Sequence, residues 1–69
     1  MIQATFKKVT PTQLRKVLPE GIRIPAWNFY NVKVTISDVG AGNINVGGRY
    51  DYILRSGEAL SAIQTLQGS

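Results

Sequence analysis

The sequence predicts a small α+β domain, with a mostly antiparallel sheet of three to four strands and two short helices on one face, in β-α-β-β-β-α order. Three observations predict it. Four segments alternate apolar and polar residues at the strand period. Two others carry helix-start signals ahead of apolar residues at helical spacing, and clusters of Gly, Asn and Asp separate the later strands.

Residues 2–9 open the chain with Ile2, Ala4 and Phe6 on one side and Gln3, Thr5 and Lys7 on the other, a half-buried strand. Thr10-Pro11-Thr12-Gln13 then reads as a capping box, with Pro11 at the first helical position. Val9 and Leu14 form the staple across that cap, and Leu14, Val17 and Leu18 face the core at i, i+3 and i+4. Arg15 and Lys16 point outward near the helix C-terminus, where the dipole favours cations. Pro19 and Gly21 end the helix.

Residues 20–26 connect to the longest predicted strand, residues 27–37. Tyr30, Val32, Val34 and Ile36 lie on its core face, and Trp27, Phe29, Asn31, Lys33 and Thr35 on the other. Residues 38–43 carry turn chemistry, residues 44–46 a short strand, and Gly47-Gly48 a second turn or a bulge. Residues 49–54 alternate again. Ser56 is expected to cap a last helix, with Ala59, Leu60, Ile63 and Leu66 as its apolar stripe and Gly68 as its C-cap.

These elements fill one domain, residues 1–69. A chain of this size buries only about 60% of its unfolded surface. Without Cys or His it has neither disulfides nor the usual zinc ligands to reinforce it. That leaves tight packing or self-association, and a homodimer is expected, through an edge strand or the Trp27–Phe29 surface. Residues 1–10 have no apolar run of the kind a signal peptide needs, and no stretch is long enough to span a membrane. The expected location is the cytoplasm.

Charge is the strongest functional signal. Eight Lys and Arg stand against four Asp and Glu, a net charge of +4. Residues 1–33 hold Lys7, Lys8, Arg15, Lys16, Arg23 and Lys33 against Glu20 alone, while residues 34–69 hold Arg49 and Arg55 against Asp38, Asp51 and Glu58. Such asymmetry suits a polyanion, although a solvated face explains it as well.

Catalytic chemistry has little to work with. There is no His to act as base and no Cys to act as nucleophile, and the four carboxylates are scattered along the chain. The run from Gly40 to Gly48 lacks the third glycine of a dinucleotide fingerprint, because Asn45 occupies that position. It leads into a strand, so hairpin turns account for it. No cofactor or metal is expected.

The expected function is therefore a small, basic, non-enzymatic binding module of accessory or regulatory kind. Nucleic acid is the favoured partner, held electrostatically by Lys7, Lys8, Arg15, Lys16, Arg23 and Lys33, with Trp27 and Phe29 available to stack bases. The alternative is a protein-interaction module, an inhibitor, adaptor or assembly subunit acting through an edge strand or the aromatic surface.

Overall fold

Alternation at the strand period builds a four-stranded antiparallel sheet from β1 (Ile2–Val9), β2 (Tyr30–Ile36), β3 (Gly42–Val46) and β4 (Tyr50–Leu54), in the spatial order β1-β2-β3-β4. Helix α1 (Pro11–Val17) is inserted between β1 and β2, and α2 (Glu58–Gln67) follows β4. The computed structural model describes residues 1–68. The small α+β fold predicted from the sequence is the fold observed. Helix α2 packs on β1, β2, β3 and α1, so one face of the sheet is covered and the other is open to solvent.

The covered face holds the core. Val32, Val34 and Ile36 of β2 meet Ile44 and Val46 of β3 and Leu54 of β4, and all six are buried together with Val9, Leu14, Leu18 and Tyr30. Gly42 completes this face by what it lacks. A Cβ there would lie 1.8 Å from the Thr35 carbonyl oxygen and 3.2 Å from the Ala59 Cβ, so no side chain fits where β2, β3 and α2 converge.

Helix α1 begins as its sequence dictates. The Thr10 hydroxyl accepts from the Gln13 amide at 3.2 Å, and the Gln13 side chain accepts from the Thr10 amide at 3.1 Å. It ends before Pro19, which cannot continue a helix, and the Leu18 amide closes the last turn on the Leu14 carbonyl. Seven residues make a helix too short to persist alone, so the burial of Leu14 holds it in place.

Helix α2 departs from expectation in two ways. Its N-cap is Gly57, in the left-handed region at φ +88°, and no side chain caps it. Ser56 instead donates its hydroxyl to the Val39 carbonyl at 3.1 Å, while the Gly57 amide reaches the Gly40 carbonyl. These bonds clasp the β2–β3 turn to the start of α2. The buried stripe is Ala59, Ala62, Ile63 and Leu66, at i, i+3, i+4 and i+7. Leu60 falls one step off it, about 100° round the helix, and is 52% exposed. It is a surface residue, not the core residue its composition suggested. Gly68 is the C-cap, as predicted, its amide donating to the Gln64 carbonyl.

The long strand is also shorter than predicted. Residues 27–29 lie outside the ladder because the chain bends at Pro25, where the Trp27 amide donates to the Pro25 carbonyl at 2.9 Å. Strand β2 therefore starts at Tyr30, whose buried ring is fixed by a hydrogen bond from its hydroxyl to that same Pro25 carbonyl.

Candidate functional site

The open face carries the residues that alternate with the core. Ladder partners share a face, so Gln3↔Thr35, Thr5↔Lys33↔Asn45, Thr35↔Asn43↔Ile53 and Asn45↔Asp51 line up across it. The surface is polar apart from Ile53, and its charge is graded. Neither β1 nor β2 contains a carboxylate, and together they contribute Lys7, Lys8 and Lys33. Strand β4 contributes Asp51, which accepts from the side-chain amides of Asn43 at 3.0 Å and Asn45 at 2.9 Å.

Lys7 and Lys8 owe their placement to a β-bulge. Phe6 pairs with Val32 and Val9 with Tyr30, so two residues of β1 stand opposite Asn31 alone. Strict alternation would separate the two lysines onto opposite faces and point Val9 away from the core. The extra residue instead returns Val9 to the core and leaves both lysines exposed at the sheet edge. Lys8 takes up the distortion at φ +57°, a region that side-chain-bearing residues rarely adopt.

Phe29 sits at the same end of the β1–β2 pair. It immediately precedes Tyr30, the ladder partner of Val9, and is 59% exposed. The structure thus brings Lys7, Lys8 and Phe29 to one end of two strands that also present Lys33.

The other predicted site residues lie elsewhere. Trp27 is not on the open face. Its ring packs 5.7 Å from that of Tyr30 and edge-on to Tyr50 at 5.9 Å. It lies over Gly47, where a Cβ would come within 2.6 Å of the indole. Trp27 thus closes the end of the covered face, and the signal for this in the sequence is Gly47, whose missing side chain makes the seat. Arg15 and Lys16 project from α1 in the helical layer, where each lines a shallow open cleft, Lys16 against α2 and Arg15 against the chain that follows Pro19. Arg23 lies on the connector, its carbonyl accepting the Tyr52 hydroxyl at 2.8 Å.

All eight Lys and Arg side chains are exposed. Among the described residues none lies within ion-pair distance of a carboxylate. No three acidic side chains come together there in the manner of a metal site. The Tyr52 phenol is raised above its ordinary value of 10.0, first by desolvation and then by the neighbouring phenols of Tyr50 and Tyr30. The phenol therefore stays protonated and able to donate to Arg23. No described helix is long and apolar enough to cross a membrane. Comparison with protein-family models, curated proteins and solved structures finds no match for this chain.

Proposed function

We propose that the protein is a non-enzymatic, cytoplasmic accessory module that binds single-stranded nucleic acid along the β1–β2 half of its open face. One observation carries this reading. Lys7, Lys8 and Lys33, none of them ion-paired, lie on two carboxylate-free strands, and the exposed ring of Phe29 immediately precedes the second of these. Phosphates need exposed cations and unstacked bases need an aromatic face, and the combination is sequence-tolerant because every base has a π-face. Asn31 stands opposite Lys7 and Lys8 and Thr5 opposite Lys33, an amide and a hydroxyl suited to sugar and phosphate oxygens. Arg15 and Lys16 serve long-range steering from the far layer.

Fluorescence anisotropy with labelled single- and double-stranded oligonucleotides tests the reading. Affinity for single strands is expected to fall with salt at a slope of about 0.7 per phosphate contacted. Replacing Lys7 and Lys8 with Ala should flatten that slope by up to about 1.4, and replacing Arg15 and Lys16 should flatten it less. Phe29→Ala should weaken single-strand binding by roughly 1–3 kcal/mol. Absence of binding at tens of micromolar protein in low salt would end this reading.

A second reading, a module that joins proteins by strand addition, is favoured by the opposite edge of the sheet. The outer side of β4 meets no strand, and beside it Ile53 is 85% exposed. Free edge groups of this kind pair readily with an added strand.

A further inference from the structure

The β4 edge is complementary to itself, and we infer that its occupant is β4 of a second copy of this chain, antiparallel, in the register that places Ile53 opposite Ile53 on the two-fold axis. This deepens the strand-addition reading by naming the partner.

The register follows from charge. Residues of β4 that share the open face are Asp51 and Ile53, and the same parity continues to Arg55, which is exposed just beyond the strand. Antiparallel pairing about Ile53 sets Asp51 of one copy opposite Arg55 of the other, twice by symmetry, with the two isoleucines meeting between them. Pairing about Tyr52 would set each Asp51 carboxylate against the apolar side chain of Ile53. Parallel pairing in register would bring the two Asp51 carboxylates together. Pairing of β4 with β1 of a second copy would meet the bulge at Lys7 and Lys8, which interrupts the β1 ladder.

Other features suit this edge to joining. Strand β4 contains no Pro, no Lys and no bulge, the usual guards of an exposed edge. Asp51 is held by Asn43 and Asn45 through its Oδ1 alone, which leaves Oδ2 for the second copy. The product is a continuous eight-stranded sheet with both β1 edges outermost. Arg55 contributes only its side chain, because its amide and carbonyl are bonded to Glu58, and so short a joint sits at the low end of interface sizes, below the roughly 1,200–2,000 Å² of stable complexes. The dimer should therefore be reversible and concentration-dependent.

Sedimentation equilibrium of the full chain without nucleic acid, from micromolar to millimolar, provides the test. The mass should rise from 7.6 kDa towards twice that value. Ile53→Lys, which places two cations on the axis, should return it to the monomer. Arg55→Glu and Asp51→Arg should each weaken the dimer by about tenfold, since like charges then face one another. An equimolar mixture of those two variants should recover association, because every facing pair is again opposite in sign. The three altered positions are exposed, and circular dichroism of each variant checks that it is folded. A monomer at all concentrations would remove the second copy as occupant while leaving the edge open to a different chain. Masses growing beyond the dimer, or failure of the mixture to recover, would overturn the pairing inferred.

Discussion

At one side the sheet ends in β1, eight residues long, with a bulge, a left-handed lysine and a second lysine beside it. At the other it ends in β4, five regular residues with one nearly bare isoleucine on its open face. Both are edges with unpaired backbone groups, and both flank the same covered core. Strand β1 carries the devices that blunt an edge against pairing, and those same devices gather the positive charge. Strand β4 carries none of them. The difference teaches that one structural feature, an extra residue in β1, closes an edge to other strands and builds the basic surface proposed to bind nucleic acid. The regular edge is the one inferred to join two copies.

The largest expected effect comes from truncating the residue that the bulge returns to the core. Val9→Ala truncates a side chain that the bulge brings opposite Tyr30 and that is only 4% exposed. Loss of the buried methyl groups, with the cavity they leave, costs roughly 1.5–3 kcal/mol. A urea midpoint equal to that of the wild type would show that the bulge does not place Val9. By contrast, Leu60→Ala on the exposed side of α2 should change the midpoint by less than about 0.5 kcal/mol.

Much of this architecture was legible in the sequence, and the exceptions have physical causes. The capping box at Thr10 and the alternation from Tyr30 to Ile36 are local signals, formed by residues a few positions apart, and they survive into the structure unchanged. The bulge was legible in principle. Ile2, Ala4 and Phe6 share one parity and Val9 breaks it, which an uninterrupted strand cannot accommodate. Trp27 was not legible, because its position depends on Gly47, twenty residues away, and on a bend at Pro25 that removes its amide from the ladder. Ser56 and Leu60 misled for a related reason. Each suits its predicted role locally, but the contact with Val39 and the angle at which α2 meets the sheet are set by tertiary packing. Of the candidate site, Lys7, Lys8, Lys33 and Phe29 were named from charge and composition. That they come together while Arg15, Lys16, Arg23 and Trp27 do not is a property of the fold alone.

A smaller effect, of opposite sign, is expected at the same bulge. Lys8→Gly relieves the left-handed backbone, a strain of roughly 1–2 kcal/mol, and gives back part of it through the greater freedom of glycine in the unfolded chain, about 0.5–1 kcal/mol. The net stabilisation should be about 0.5–1 kcal/mol. The same substitution removes one of the three cations of the β1–β2 surface, so oligonucleotide affinity should fall as stability rises. If both fell together, the strain assigned to Lys8 would be absent.

The smallest effect belongs to the β4 side, where Tyr52 ties the strand to the connector through the Arg23 carbonyl. Tyr52→Phe removes one exposed neutral hydrogen bond, about 0.5 kcal/mol at neutral pH. Its dependence on pH has a definite sign. The phenol is raised above its ordinary value of 10.0 in the folded chain, so the folded state holds the proton more firmly than the unfolded state does. The stability it contributes is fully present below the unfolded value and is lost as pH rises through the folded one. The gap between wild type and Tyr52→Phe should therefore be constant from neutrality to about pH 9 and narrow above about pH 10, because the phenylalanine variant has no such proton to lose. Urea midpoints of both proteins across that range measure it. A gap that widened with pH would mean that the ionised phenol is the better-held form, and that Tyr52 does not donate to Arg23 in solution.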